Sequence, residues 1–354
     1  MNPSGPSGRS SKDAVGRDGF RAGRTSVGRP GRPSARWGAL GRDKAGRIPA
    51  WQRGDRLIPT VLDTDPGIDD ALALLLAWGS PELDVLALTV VAGNAPLADT
   101  ARNAARLVAL RRPARLPQIA LGAAAPLRRA LVTATHDHGS DGLGDASDWP
   151  PVASPPASPS AAETLVALAR AHGERLTIIA LGPLTNLALA LRLDADALRR
   201  TGRVVMMAGA VDVAGNATPD AEYNAFVDPD ATREVFDAGL RLDLVPLDAT
   251  RQTTINRDQV HAALAGRPGP LAARIEAFTE RTFRLWGYMH LHDPLAVGLA
   301  VDASLAQWQP ARIAVGESGQ TRRAAGAPNC RVAHVIDAER FLALFFDRIC
   351  PASA

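Results

Sequence analysis

From Leu57 onward, short apolar runs alternate with helix-periodic stretches, and polar turns separate them. Leu57 to Leu62 reads as a buried strand, and Asp69 to Trp78 as a helix that is apolar on nearly every face. Asp84 to Val91 predicts a second strand, Leu97 to Leu110 a helix and Gln118 to Leu121 a short strand. After a long polar stretch the alternation resumes: helix Ala161 to His172, strand Leu176 to Leu181, helix Leu187 to Leu193 and strand Arg203 to Ala208. A helix over Asp228 to Ala238 and a strand from Leu242 to Leu247, ending in Asp248, come next. Helices follow over Asp258 to Ala265, Leu271 to Trp286 and Leu295 to Val301, then strands at Arg312 to Val315 and Arg331 to Ile336 and a closing helix from Ala338 to Ile349. Such succession implies right-handed crossovers, and so an α/β protein with an open, mainly parallel (mixed) sheet and helices on both faces.

Composition sharpens the boundaries. The chain has 354 residues, 46% of them hydrophobic, enough for a large core in one α/β domain or two small ones. Before Leu57, eleven Arg and two Lys outweigh four Asp by nine, so within a total of +3 the rest of the chain is acidic by six. That Gly-, Ser- and Pro-rich segment, residues 1–56, almost lacks apolar periodicity, which predicts a disordered basic tail and a single folded domain over 57–354. It lacks the aromatic and basic pattern of a folded nucleic-acid reader; a mitochondrial-type presequence shares its Arg and Ser bias, and a dispensable or misassigned extension is the expected reading. No apolar run approaches the roughly 20 residues of a membrane span. A soluble, cytoplasmic protein without membrane or nucleic-acid partners is expected. Cys330 and Cys350 lie in apolar surroundings and read as buried thiols rather than a disulfide framework.

Two polar segments stand out at strand ends. Gly122 to Ser160 contains THDHGSDGLGD at Thr135 to Asp145, and loops of this length inside a compact domain are usually functional. His136 and His138 lack a nearby third zinc ligand, and His138 is the better candidate to face a substrate. The other is Gly209 to Phe226, where Asn216, Glu222 and Asn224 can accept from and donate to vicinal hydroxyls, as sugar recognition requires.

The chemistry concentrates between the first strand and the first helix. Asp63, Asp65, Asp69 and Asp70 put four carboxylates within eight residues, with Pro66 and Gly67 forcing a turn. A helix N-terminus stabilises one or two such groups by about 0.3–1 kcal/mol each, too little to offset repulsion among four. A hard divalent cation does offset it, and oxygen-only ligands are what Ca2+ or Mg2+ selects. The apolar flanks push the acids into a crevice at the carboxyl end of a strand, where open α/β sheets bind ligands. His292-Asp293 repeats the pattern at a later helix start.

Taken together, DTDPGIDD at Asp63 to Asp70, VAGN at Val91 to Asn94, HGSDGLG at His138 to Gly144, LGPLTNLALAL at Leu181 to Leu191, GNATPDAEYN at Gly215 to Asn224 and HDPLAV at His292 to Val297 resemble the inosine-uridine preferring nucleoside hydrolase family. The resemblance runs in order from Leu57 to the C-terminus and implies a Rossmann-like fold and a Ca2+-dependent N-ribohydrolase that releases ribose and free base. It implies that Asp65, Asp70, the Thr185 carbonyl and Asp293 hold Ca2+, and that Asp69, Asn94, Asn216, Glu222, Asn224 and Asp293 grip ribose. His138 and His292 would face the base, with Met207 lining the pocket. Homodimers or homotetramers are implied as well.

Ribosyl C–N cleavage passes through an oxocarbenium-like state, which calls for negative charge near the sugar and a held water. Asp65 is the candidate general base and His292 the candidate acid for the leaving base, since imidazole titrates near neutrality. Base preference is left open: Phe283, Trp286 and Tyr288 have stacking potential but sit at helix-core spacing, and Glu280 and Arg284 stand where relatives carry tyrosine or amide groups. Two alternatives remain. A haloacid-dehalogenase-type Mg2+ phosphatase shares D-x-D, but expects Thr or Val where Gly67 stands and a later Lys, and none follows Lys44. A non-catalytic nucleoside or sugar sensor would keep the fold alone.

Overall fold

The computed structural model describes residues 57–267 and 269–350. The expectation for the basic tail falls outside those residues.

The strands are β1 Ile58–Thr64, β2 Leu83–Val90, β3 Gln118–Leu121, β4 Thr177–Ala180, β5 Arg203–Met207, β6 Leu242–Val245, β7 Thr254–Asn256, β8 Tyr288–His290, β9 Ala306–Val315, β10 Thr321–Ala324 and β11 Cys330–Ile336. The helices are α1 Ile68–Trp78, α2 Leu97–Arg111, α3 Thr135–His138, α4 Ala161–His172, α5 Thr185–Arg199, α6 Tyr223–Val227, α7 Pro229–Asp237, α8 Leu247–Thr250, α9 Arg257–Leu264, α10 Pro270–Trp286, α11 His292–Val301 and α12 Ala338–Arg348. Nine strands form one sheet in the order β10-β9-β11-β6-β5-β4-β1-β2-β3, while β7 and β8 make a separate antiparallel pair. From β11 to β3 every neighbour is parallel; β9 runs antiparallel to both β11 and β10. The open, mainly parallel mixed sheet is therefore as expected.

Why the inner strands read as unbroken apolar runs is visible in their two faces. Leu62, Leu88, Ile179, Val205 and Val245 point into a core shared with α1, α10, α11 and α12. Their chain neighbours Val61, Ala87, Ile178, Val204 and Leu244 point into the opposite core with α4, α5 and α7. Both faces are covered, so alternation of apolar with polar residues disappears. Helix α1 lies so deep that Ala71 to Ala77 are all buried, which accounts for its lack of a polar face. Each such Leu stabilises the fold by about 1.5–3 kcal/mol relative to exposure.

Chain direction across the sheet reverses between β1 and β4: β2 and β3 lie to one side, β5 and β6 to the other. At such a switch point the loops leaving the two strands diverge and open a crevice at their carboxyl ends. Asp63 to Gly67 leaves β1 into it and Leu181 to Leu184 leaves β4.

Several elements differ from the sequence expectation. Strand β6 stops at Val245, because Pro246 has no N–H to continue the ladder; its carbonyl instead accepts the amides of Ala249 and Thr250, starting α8 with Asp248 inside it. Helix α5 extends to Arg199 through non-helical backbone at Asp194. The start of β9 is half-exposed and contains Pro310, which hid it from an apolar-run reading. The three-residue β7 and β8 and the five-residue α6 are too short for periodicity to reveal.

Candidate active site

Asp70 is the third residue of α1, and its position follows from capping. Gly67, the N-cap, has no side chain to offer, and Asp70 Oδ2 reaches back to accept the Gly67 N–H at 3.0 Å, as the third helical position of a capping box does. Asp70 Oδ1 also accepts from Thr64 Oγ1 at 2.5 Å and from the Asp65 N–H at 3.3 Å. Asn94, from the loop after β2, donates its Nδ2 to Asp70 Oδ2 at 2.9 Å and its backbone N–H to Asp65 Oδ2 at 2.7 Å. Asn94 thus fixes two acids at once. It still lines the cavity, but much of its amide is already committed to orienting Asp65 and Asp70.

Asp65 is almost fully buried, and its Oδ1 has no hydrogen-bond partner among the described residues. Two glycines make room for this carboxylate. A Cβ on Gly93 would collide with Asp65 Oδ2, and one on Gly182 would lie 2.5 Å from Asp65 Oδ1. Asp63 sits one step further back: its Oδ1 accepts from Thr89 Oγ1 at 2.6 Å and Asn186 Nδ2 at 2.8 Å, whereas Oδ2 is unpaired.

Asp293, in the first turn of α11, is brought to the same place from more than two hundred residues along the chain. One carboxylate oxygen each from Asp69, Asp70 and Asp293 lie within 4.8 Å of one another. Burial and then the Asp70 charge hold the Asp65 carboxyl well above the usual range. Burial and the charges of Asp69, Asp70 and Asp65 do the same to Asp293, and burial with Asp70 raises Asp69 to about 7. Among the described residues no Lys or Arg pairs with these acids, which repel one another, and a buried oxygen without a hydrogen bond adjoins them. This donor set fits a hard divalent cation. The converging trio includes Asp69, expected at the ribose, rather than Asp65, which is drawn under Gly93 and Gly182 by the Asn94 amide. Thr185 is buried at the head of α5, three residues after Gly182, with its hydroxyl donating to Asp228 Oδ2 at 2.7 Å.

A cavity of about 240 Å³ opens over the acids. Asp69, Asn94, His138, Met207, Asn216, Glu222, Asn224, His292 and Asp293 all line it, leaving Asp65, Asp70 and Thr185 outside the wall. A second cavity of about 320 Å³ continues from it, sharing Asp69, Asp137, His138, Asn216 and His292. Within the first, Glu222 caps α6: Oε1 accepts the Asn224 N–H at 2.8 Å, and Oε2 those of Gly209 and Ala225 at 2.7 and 3.1 Å. Asn224 donates Nδ2 to the carbonyls of Leu181 and Met207, tying the ends of β4 and β5 together. Asn216 is exposed and accepts the Tyr223 N–H at 2.9 Å. Tyr223, passed over in the sequence reading, also lines the cavity, with its hydroxyl 2.8 Å from Gly93 O and 2.9 Å from Val132 O.

Both expected histidines reach the cavities. His138 Nδ1 accepts the Ile68 N–H at 3.0 Å, which pins the long loop onto the start of α1. His292 Nδ1 lies 2.7 Å from Thr250 Oγ1. Burial, with His290, Arg251 and His138 nearby, pushes His292 down to about 3, below the near-neutral range that the sequence alone suggests for an imidazole. His136 stays exposed against Asp137 and joins no metal-ligating group among the described residues. Of the three aromatics, Phe283 is core, while Trp286 (59% exposed) and Tyr288 (46%) line the second cavity. Glu280 pairs with Arg257 instead, and neither it nor Arg284 reaches a cavity wall.

The profile of the inosine-uridine preferring nucleoside hydrolases matches residues 60–343. The chain belongs to that family. The pyrimidine-specific ribonucleoside hydrolase RihA of Escherichia coli O9:H4 is 34% identical over 308 residues, covering 82% of this chain and 98% of its own. Among solved structures, a plant nucleoside hydrolase superposes with a TM-score of 0.78 at 30% identity, covering 84% of this chain and all of that one. A purine-preferring ribonucleoside hydrolase from Gardnerella vaginalis gives 0.78 at 27%, covering 82% and 98%. This nucleoside hydrolase is thus an enzyme that hydrolyses ribonucleosides, and the phosphatase and silent-sensor alternatives fall away. The region before residue 60 lies outside the matched profile.

Proposed function

We propose that the chain is a Ca2+-dependent N-ribohydrolase cleaving inosine- or uridine-type nucleosides to ribose and free base. The observation that carries this reading is the buried, unpartnered Asp65 Oδ1 beside the converging carboxylates of Asp69, Asp70 and Asp293. Asp65, Asp70, Asp293 and the Thr185 carbonyl would hold the cation, with Asp69 close enough to join them. Bound there, Ca2+ supplies the positive charge that offsets carboxylate repulsion and makes a neighbouring water more acidic.

The residues then divide the work. Asp65 takes a proton from the water that attacks C1′ as the ribosyl C–N bond breaks and its electron pair leaves with the base. Asp69, Asn216, Glu222, Asn224 and Asp293 engage the ribose hydroxyls, and Met207 closes the apolar side of the sugar. The buried acids stabilise positive charge on the sugar as it develops, without reorganising. His138 and His292 meet the base. The names of the relatives include both pyrimidine-specific and purine-preferring enzymes, and the proposal makes no choice between them.

Incubation with inosine and with uridine, measuring reducing sugar and free base together, tests this. Equimolar ribose and base, lost in Asp65→Ala, is the expected result. Normal turnover by the folded Asp65→Ala protein would refute the assignment of the general base.

A further inference from the structure

The ring of His292 is held from behind. Thr250, fully buried at the last position of α8, brings its hydroxyl to 2.7 Å from His292 Nδ1. Among the described residues that hydroxyl has no other hydrogen-bond partner. A helical threonine commonly donates to the carbonyl four residues earlier. Here that carbonyl belongs to Pro246, and it already accepts the amides of Ala249 at 2.9 Å and Thr250 at 3.0 Å. Two amides use both of its lone pairs. The hydroxyl proton is left with one acceptor, Nδ1.

We propose that Thr250 is a positioning residue that donates to His292 Nδ1 and fixes the ring as the neutral tautomer carrying its hydrogen on Nε2. The opposite arrangement, Nδ1–H donating to the hydroxyl, would strand a buried O–H with no acceptor and leave its desolvation uncompensated. His292 Nε2 bonds to no protein group among the described residues, and the ring lines both cavities, so its N–H is offered to whatever lies there. His138 uses the same device from another element. Its Nδ1 accepts a backbone N–H, which has only one direction of donation, and its ring also lines both cavities. Two imidazoles with Nδ1 occupied thus present N–H donors to one space.

This inference rests on the reading that the chain breaks ribosyl C–N bonds, and it specifies what His292 contributes. A neutral imidazole does not surrender its only proton, since an imidazolate would remain. It donates a hydrogen bond to the base nitrogen that gathers charge as the electron pair of the C1′–N bond departs. Water supplies the atoms of the products: its hydroxyl goes to C1′, and its proton ends on the free base.

The test uses the full chain and two readouts. The first is the nitrogen chemical shifts of the His292 ring, assigned by difference against His292→Gln; hydrogen on Nε2 is expected in the wild type, and a mixture of tautomers in Thr250→Val. Hydrogen on Nδ1 in the wild type overturns the proposal, whether or not the chain hydrolyses nucleosides. The second compares kcat/KM on inosine or uridine with that on para-nitrophenyl riboside, whose phenolate needs no help to leave. Thr250→Val should lose about tenfold or more on the nucleoside while staying within about twofold on the aryl riboside, as loss of assistance to a leaving group predicts. Thr250→Ser should recover the loss. Equal losses on both substrates, or no recovery with Ser, would overturn it. Absence of nucleoside cleavage together with Nε2–H in the wild type would sink the hydrolase mechanism but leave the tautomer assignment standing. Should Thr250→Val fail to fold, the wild-type ring shifts and Thr250→Ser decide.

Discussion

Asp65 Oδ2 accepts the backbone N–H of Asn94 at 2.7 Å, and this one bond turns the carboxylate so that its other oxygen is left buried, with no hydrogen-bond partner among the described residues. The loops after β1 and β2 therefore act as a unit, with the loop after β4 closing over the same group. Close approach of all three depends on the missing side chains of Gly93 and Gly182.

Gly93→Ala and Gly182→Ala should each displace Asp65 from opposite sides. Because small misplacements of reacting groups carry large rate penalties, kcat should fall by about 100-fold in each, with circular dichroism unchanged. Two loops giving one phenotype would locate the effect in Asp65. Wild-type rates in either variant would mean that the carboxylate position is not critical.

The clustered acids predict a stability that depends on the cation. Thermal unfolding followed during a Ca2+ titration should shift upward, by an amount corresponding to about 2.7 kcal/mol at a hundredfold excess over Kd. Asp293→Asn removes one repelling charge: the chelated variant should melt above the chelated wild type and respond weakly to Ca2+. A wild type whose melting temperature ignores both Ca2+ and chelator would argue against the cluster as a cation site.

Asp228 is a purely structural acid despite its proximity to the site. Fully buried, it accepts from Thr185 Oγ1 at 2.7 Å and from the amides of Leu127 and Ala231 at 2.9 and 3.0 Å. Asp228→Ala should cost about 1–3 kcal/mol for each donor left without a partner, read as a lower urea midpoint. An unchanged midpoint would show that water replaces those bonds freely.

The thiols should be inert. Cys330 and Cys350 are both buried, and burial pushes the Cys330 thiol up to about 12. Thiolate, the reactive form, is therefore scarce at neutral pH. Mass spectrometry after iodoacetamide at pH 8 should find neither residue modified in the native protein and both modified in urea.

Much of this was legible before any coordinates. The run from Leu57 to Trp78 carries its own contradiction, four acids between apolar flanks, and that contradiction is resolved only by a crevice and a counter-charge. Helices on both sheet faces follow from strands with no polar side. What stayed hidden depends on contacts between distant segments. Glu222 reads as a free sugar ligand, yet it is also the cap of a five-residue helix that no periodicity exposes. Asn94 reads as a ribose contact, yet its Nδ2 also donates to Asp70 Oδ2 and the Asp65 carbonyl while its backbone N–H holds Asp65 Oδ2. Thr250 carries no motif; it meets His292 because Pro246 ends β6 early and the short β7 and β8 pair, with Thr254 opposite His290. Trp286 separates from Phe283 only once it is known which face of α10 the core takes, and Tyr288 lies beyond that helix at the start of β8.

The most direct measurement is ribose release from inosine and uridine by protein stripped of divalent cations, then titrated with Ca2+, in parallel for wild type and Asp65→Asn. The account predicts that stripped wild type is inactive and recovers saturably, while Asp65→Asn stays lower by about 100-fold or more at every concentration, in line with loss of a general base. Full activity in the stripped protein, or in Asp65→Asn, would contradict it.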